Sequence, residues 1–149
     1  MIWIKVNTSD RGRGCVEMPD VSADRPRMQD DNLVLVVDDD PGMLKALQRM
    51  LRQHAYEPIV FSSAQDFKDH PDIDRAACVI LDINLPDGSG IELREDLKAA
   101  GVSVPVIFIT GNMNPKVREV ALASGCLAFL TKPFSAHELI EPLREASAG

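Results

Sequence analysis

The chain has 149 residues, of which 45% are hydrophobic and 26% are charged, and its formal net charge is −7. This length suits one domain with a substantial core, and the acidic balance argues against a nucleic-acid-binding surface, which is usually basic. No apolar run approaches the roughly 20 residues that span a bilayer, and the apolar start at 1–4 is too short for a secretory signal. The three cysteines lack metal-ligand spacing and are interpreted as reduced thiols of a cytoplasmic protein: Cys15, Cys78 and Cys126.

Residues 1–31 differ in composition from the rest of the chain. They mix charges with small and turn-forming residues, and neither a strand period nor a helix period is sustained. This composition predicts a disordered N-terminal extension followed by one folded domain over 32–149. Two alternatives stay open: a start codon assigned too early, with Met28 as the true beginning, or a docking tail that uses Trp3 or the arginines.

From Leu33 onward, apolar strand patterns alternate five times with helical patterns. Such alternation implies a parallel sheet with helices on both faces, which is the doubly wound α/β class. The strands are predicted over 33–37, 58–61, 77–81, 105–109 and 127–130. The helices are predicted over 41–54, from a cap at Ser62 or Ser63 through 68, over 90–100, from 115 to a stop at Gly125, and from Ser135 onward.

Several predicted helix ends carry recognisable signals. Asp40 suits the N-cap of the first helix, and Gly101 suits the position just after the third. Ser135 and Glu138 form a capping-box pattern at the start of the last helix. Pro142 falls near the middle of that helix, where it removes a backbone donor, so we expect either a kink or an end just before it.

Four of the five predicted strands end in a polar residue that can act chemically. Because parallel strands point their carboxyl ends at the same edge of a sheet, these groups should meet there. Each alone could be a helix cap or the finish of a strand, but their joint placement favours a functional site. The residues are Asp38 and Asp39, Asp82, Thr110 and Lys132.

This set of side chains suits phosphoryl chemistry. Crowded carboxylates repel one another and favour a hard cation such as Mg²⁺. A carboxylate can also be the nucleophile that forms an aspartyl-phosphate. The metal and Lys132 would offset the developing charge, while the Thr110 hydroxyl would hydrogen-bond a phosphoryl oxygen.

The sequence resembles the receiver domain of bacterial two-component response regulators over residues 32 to about 146. The resemblance implies a five-stranded, flavodoxin-like parallel sheet with strand order 2-1-3-4-5. The stretches that carry it are Val36-Val37-Asp38-Asp39-Asp40, Leu81-Asp82-Ile83-Asn84-Leu85-Pro86-Asp87-Gly88-Ser89-Gly90, Val106-Ile107-Phe108-Ile109-Thr110-Gly111 and Leu130-Thr131-Lys132-Pro133-Phe134.

The resemblance also implies roles for the acidic residues. Asp82 would accept phosphate from the phosphohistidine of a histidine kinase or of a phosphotransfer protein. Asp39 and Asp82 would bind Mg²⁺ directly, together with the backbone carbonyl of Asn84, and Asp38 would help through water.

The remaining implied roles concern the switch. Thr110 and Lys132 would contact the phosphoryl group, and the Lys132–Pro133 bond would be cis. Phe129 fills the aromatic switch position, so phosphate would draw Thr110 inward, let Phe129 turn in, and change the face made by the fourth helix, fifth strand and fifth helix.

No helix-turn-helix pattern, basic stripe or catalytic segment follows residue 146. The expectation is a stand-alone receiver, without direct nucleic-acid or membrane contact, that binds an unknown downstream protein or relays phosphate. Its chemistry would be limited to its own phosphorylation and dephosphorylation, so it would not be an enzyme.

Two alternatives are weighed against this interpretation. A pseudo-receiver, an interaction module that is never phosphorylated, usually loses an acid, the threonine or the lysine, and this chain keeps all of them. A haloacid-dehalogenase-like phosphatase would use Asp38-x-Asp40, Thr110 and Lys132. However, Gly42 stands where that family usually has Thr or Val, and its last acidic motif has no match after Lys132.

Overall fold

The computed structural model of the protein describes residues 30–111 and 114–148. The predicted extension up to residue 29, with Trp3, Cys15 and Met28, lies outside these residues. Five strands form one sheet: β1 (Asp30–Val37), β2 (Glu57–Phe61), β3 (Ala76–Asp82), β4 (Val106–Thr110) and β5 (Ala128–Thr131). Five α-helices alternate with them: α1 (Pro41–Gln53), α2 (Ala64–Lys68), α3 (Gly90–Ala99), α4 (Pro115–Ala123) and α5 (Ala136–Ala148).

The five strands are all parallel and lie in the order β2-β1-β3-β4-β5. Both the predicted doubly wound class and the predicted strand order are therefore confirmed. The register aligns Val37 of β1 with Leu81 of β3, and Thr110 of β4 with Thr131 of β5. The carboxyl ends of the four strands that carry the candidate site residues consequently lie at one edge of the sheet.

The sheet separates two layers of core. β3 and β4 are buried along their whole length because helices cover both of their faces, which explains their unbroken apolar sequences. One layer holds the apolar side chains of α2, α3 and α4, and the other holds those of α1 and α5. None of the helices in the described ranges is long and apolar enough to cross a membrane.

The elements differ from the predictions mainly at their ends and in two short additions. β1 begins at Asp30, three residues before the predicted start, and pairs there with Ala76. The loop between α2 and β3 contains a short 3₁₀ turn at Ile73–Arg75. The loop after Asp82 contains a small antiparallel pairing of Asn84–Leu85 with Gly88–Ser89. These short features depend on local pairing that hydrophobic periodicity does not reveal.

The predicted caps are present. The Asp40 carboxylate accepts a hydrogen bond from the backbone N of Gly42 at 3.0 Å, and Ser63, rather than Ser62, caps α2. At α5 the capping box is complete: Glu138 N donates to Ser135 Oγ at 3.2 Å, and Ser135 N donates to Glu138 Oε1 at 2.8 Å. The first turns of these helices therefore have partners for their otherwise unpaired amides.

Pro142 does not end the last helix. α5 continues through it to Ala148, so the alternative that the helix stops just before the proline is wrong. Leu139, Ile140 and Leu143 are buried against the sheet, and this packing carries the helix past the missing backbone donor. The carbonyl of Glu138 is the group that loses its usual helical partner.

The end of α1 contains an unfavourable backbone conformation. Tyr56 N donates to Leu51 O at 2.9 Å and Ala55 N donates to Arg52 O at 3.2 Å, which together form a Schellman motif. The motif places Ala55 at a φ of 68°, a left-handed conformation that costs an L-residue roughly 1–2 kcal/mol. The equivalent residue after α3 is Gly101, as predicted, with a φ of 80°.

Replacing Ala55 with Gly should stabilise the protein. Glycine removes the left-handed penalty but loses more conformational entropy on folding, so we expect a net gain of about 0.5–1 kcal/mol in the free energy of unfolding. Urea titration measures this value. Ala99→Gly, at the last residue of α3, is the control and should lower stability; a loss in Ala55→Gly would contradict the argument.

Replacing Pro142 with Ala should also stabilise the fold. The variant restores a backbone donor for Glu138 O and removes the ring from the helix interior, which we expect to raise the free energy of unfolding by about 1–3 kcal/mol. Thermal melts provide the measurement. Pro115→Ala serves as the control, because proline is tolerated at the first position of α4 and its loss should change little. A destabilised Pro142→Ala would mean that packing of the half-buried ring outweighs the lost hydrogen bond.

Candidate functional site

The strand ends bring the predicted site residues together at the carboxyl edge of the sheet. Asp38 follows β1, Asp82 ends β3, Thr110 ends β4 and Lys132 follows β5. Asp38 and Thr110 are fully buried, and only 4% of Asp82 is exposed. Buried polar side chains at the end of hydrophobic strands need specific partners, because desolvation is otherwise uncompensated.

The ammonium group of Lys132 bridges two carboxylates. Its Nζ lies 3.0 Å from Asp38 Oδ2 and 3.2 Å from Asp82 Oδ2. Backbone amides occupy the other oxygens: Asp40 N donates to Asp38 Oδ1 at 2.9 Å, and Asn84 N donates to Asp82 Oδ1 at 3.0 Å. Each buried carboxylate therefore accepts one backbone hydrogen bond and shares one cation.

Opposing effects act on the charges in this group. Burial raises the pKa of Asp82 and the nearby Asp38 charge raises it further, while the Asn84 amide and Lys132 only partly offset these two effects. Burial alone would lower the pKa of Lys132, but its bonds and charge interactions with Asp38 and Asp82 outweigh burial and raise it. The result is a lysine held firmly as a cation beside an aspartate whose negative charge is poorly solvated.

Asp39 is the third carboxylate of the cluster and differs from the other two. It is exposed, and within residues 30–111 and 114–148 its side chain makes no hydrogen bond or ion pair. One carboxylate oxygen from each of Asp38, Asp39 and Asp82 lies within 4.8 Å of the others. Three carboxylate oxygens this close, with one group open to solvent, suit a small hard cation such as Mg²⁺.

The side chain of Asn84 reaches the next strand. Its Nδ2 lies 3.5 Å from Thr110 Oγ1, at the limit of a hydrogen bond, while its backbone N holds Asp82. The backbone of Lys132 also pairs with that strand end, since its N donates to Thr110 O at 2.8 Å. The Lys132–Pro133 peptide bond is cis, as the resemblance implied.

Two residues that follow Asp82 have structural roles that the sequence analysis did not predict. The Asp87 carboxylate accepts hydrogen bonds from the backbone N of Ala64 at 3.0 Å and of Gln65 at 3.1 Å, and these bonds lower its pKa. Gly90 lies so close to the backbone of Asp82 that an added Cβ would overlap the Asp82 carbonyl oxygen. The run of Pro and Gly signalled a turn, but only the tertiary structure shows what the turn contacts.

Asp40 and Phe129 lie outside the cluster of charges. Asp40 is engaged as the cap of α1, and Phe129 is half-buried in β5 against the α2, α3 and α4 layer. Phe129 aligns with Phe108, just as Thr131 aligns with Thr110. Because alternate residues of a strand share a face, Phe129 and Thr110 lie on the same face of the sheet.

The two described cysteines take no part in the site. Cys78 and Cys126 are free thiols, and burial raises the pKa of Cys78 to about 12. A thiol with such a raised pKa is a poor nucleophile at neutral pH. Asn112, which follows Thr110 by two residues, lies outside the described part of the chain.

Comparison with curated proteins finds relatives among bacterial regulators. The response regulator protein TodT of Pseudomonas putida is 35% identical over 117 residues, covering 77% of this chain and 51% of TodT. The transcriptional regulatory protein FixJ of Rhizobium meliloti is 32% identical over 118 residues, covering 78% of this chain and 57% of FixJ. The chain thus spans about half the length of the curated relatives it matches.

Solved structures agree with this relationship. The crystal structure of FixJ-N is 32% identical, has a TM-score of 0.72, and covers 81% of this chain and 96% of its own. A CheY-like receiver domain protein from Methanospirillum hungatei is 25% identical with a TM-score of 0.71, covering 81% and 94%. The family model of the response regulator receiver domain matches residues 34–144. Together with the parallel sheet and the strand-end cluster, this match shows that the chain belongs to the response regulator receiver domain family.

Proposed function

We propose that this protein is a phospho-accepting signalling switch and that Asp82 is its phosphoacceptor. The observation that carries the proposal is the arrangement of Asp82 itself: a buried carboxylate at a strand end, close to two other acids and hydrogen-bonded to the Lys132 ammonium. A cation placed 3.2 Å from the reactive carboxylate is suited to stabilise negative charge that arrives with a phosphoryl group.

The proposed reaction is transfer of a phosphoryl group from a phosphohistidine to Asp82. A carboxylate oxygen of Asp82 attacks phosphorus, the phosphorus–nitrogen bond breaks, and the bonding electron pair returns to the imidazole nitrogen. Its poorly solvated charge favours Asp82 as the nucleophile. Lys132 then stabilises the phosphoryl oxygens, and the Thr110 hydroxyl donates a hydrogen bond to one of them.

The cluster fits Mg²⁺ by the chemistry of its donors. Asp39 and Asp82 would hold the ion directly, with the backbone carbonyl of Asn84, and Asp38 would act through water. When bound, Mg²⁺ would neutralise part of the charge that three carboxylates and a phosphoryl group bring to one place. Asp39, exposed and without a partner among the described residues, is the most accessible of the three ligands.

The proposed response to phosphorylation runs from Thr110 to Phe129. Both residues lie on the face of the sheet covered by α4, so a shift of Thr110 toward the phosphoryl group changes the space beside Phe129. The α4, β5 and α5 face would then change shape and bind an unidentified protein or pass the phosphate onward. In energetic terms, the phosphoryl group favours one of two arrangements of this face.

The proposal assigns the partners by class. The phosphoryl donor is a histidine kinase or a phosphotransfer protein, the target is another protein, and neither nucleic acid nor a membrane is bound directly. The protein acts in the cytoplasm and catalyses nothing except its own phosphorylation and dephosphorylation. The haloacid-dehalogenase-like alternative loses support because Asp40, its second essential acid, is engaged as the helix cap of α1.

Phosphorylation of Asp82 is directly testable. Incubation with phosphoramidate and Mg²⁺ should add one phosphoryl group to the wild-type chain, detected by intact-mass spectrometry. Asp82→Asn should reduce the stable product to background, whereas Asp87→Asn, in the same loop, should still be phosphorylated. Equal product in Asp82→Asn would refute the assignment, and no product in the wild type would favour a pseudo-receiver.

Removing Asp39 should weaken Mg²⁺ binding without weakening the metal-free fold. The Asp39 side chain has no partner in the part of the chain that the structure describes, and it repels the neighbouring carboxylates. Asp39→Asn should therefore melt at or above the wild-type temperature in EDTA and gain less from Mg²⁺. Asp38→Asn is the matched comparison: it loses the Lys132 ion pair and should be destabilised in EDTA. A large metal-free loss in Asp39→Asn would instead indicate a structural partner.

A further inference from the structure

Arg118 of α4 lies over the ring of Phe129. The carbon at the centre of its guanidinium group is 6.0 Å from the ring centroid, within the range of a cation–π interaction. Arg118 is exposed, and in the described part of the chain its side chain forms no ion pair that would compete with the ring. Among the described residues, Arg118 of α4 is thus the only cation placed over the ring of Phe129, which belongs to β5.

Apart from the Arg118 contact, packing is the interaction that positions the Phe129 ring. Phenylalanine has no hydroxyl, so no hydrogen bond can fix the orientation of the ring. The ring is half-buried and packs against the apolar layer beneath α4, while Arg118 covers it from α4 itself. Among the described residues, loss of the Arg118 contact would therefore leave non-directional packing to set the position of Phe129.

α4 is tied to α3 at its C-terminal end. Lys98 Nζ donates to Ser124 O at 2.8 Å, and Arg94 donates to Gly125 O at 3.5 Å and to Val104 O at 2.7 Å. Arg118 lies six residues before Ser124, which is about 9 Å along the helix axis. A tilt of α4 about its tied end would displace Arg118 more than the residues near that end.

We propose that Arg118 is a positioning residue through which α4 holds Phe129 in the half-buried position of the unphosphorylated protein. This inference rests on the proposed function, since it concerns the equilibrium between two positions of the switch aromatic. Arg118 stabilises one position, so any ligand that requires the other must displace the ring from beneath the guanidinium group. Removal of the Arg118 charge should therefore favour the phosphorylated-like arrangement.

The expected effect is modest and measurable. An exposed cation–π contact corresponds to about a two- to five-fold change in an equilibrium constant. Beryllofluoride is a suitable probe, since related receiver domains have been solved in the beryllofluoride-activated form. Titration of the full chain with beryllofluoride in excess Mg²⁺, followed by backbone amide NMR signals, should show about two- to five-fold tighter binding in Arg118→Met than in the wild type.

Two matched variants separate the contact from a general effect of charge or packing. Arg118→Lys keeps a cation on a long side chain and should return the affinity toward the wild-type value. Lys116→Met removes an exposed cation from the same helix and should leave the affinity unchanged. In the absence of beryllofluoride, the Phe129 ring proton shifts should move in Arg118→Met and stay in place in Lys116→Met.

Each outcome has a distinct meaning. No beryllofluoride binding by the wild-type protein would overturn the proposed function, and the role of Arg118 with it. Binding of equal or lower affinity in Arg118→Met would overturn only the role of Arg118. The role of Arg118 would also be overturned if Arg118→Met left the Phe129 ring signals unchanged, or if Lys116→Met raised the beryllofluoride affinity by as much.

Discussion

The ammonium group of Lys132 lies between two carboxylates that the fold buries, and this contact forms only when most of the sheet is assembled. Asp38 and Asp82 are 94 and 50 residues from Lys132 along the chain, so all three meet only when β1, β3 and β5 are aligned in one sheet. Removing one member would leave a buried charge without its partner, which is far more costly than losing an exposed ion pair. The last strand–helix unit is therefore required for a site whose acids come from the first and third strands.

The same contact explains how a site of crowded acids can be stable. Lys132 and two backbone amides compensate the buried acids, but burial still raises the pKa of Asp82, so its charge is not fully compensated. Asp39 adds a third negative charge, and among the described residues its side chain has no hydrogen bond or ion pair. The two apolar core layers, one on each face of the sheet, supply the stability that maintains this crowding. A site whose carboxylates repel one another is possible because the apolar core around it is complete.

The sequence was informative wherever a residue's position follows from one strand or helix. Strand-end residues such as Asp82 and Lys132 could be placed because parallel strands share an edge, and Ser135 and Glu138 were recognisable because a capping box is local. Contacts between distant segments were not predictable in this way: Asp87 capping α2, Arg118 covering Phe129, and Lys98 holding the end of α4. Each joins two segments whose separation in the chain follows no helix or strand period. Ala55 was also missed, because the left-handed position after a helix is usually marked by glycine.

The cap that Asp87 provides couples the first turn of α2 to the loop that follows Asp82. α2 has only five residues, too few to be stable alone in water, and two of its first amides donate to a carboxylate 23 and 22 residues further along the chain. Those amides are protected from exchange with solvent only while the loop after Asp82 is folded in place. Hydrogen exchange at the Ala64 and Gln65 amides would thus report whether the loop after Asp82 is folded, although both residues lie outside that loop.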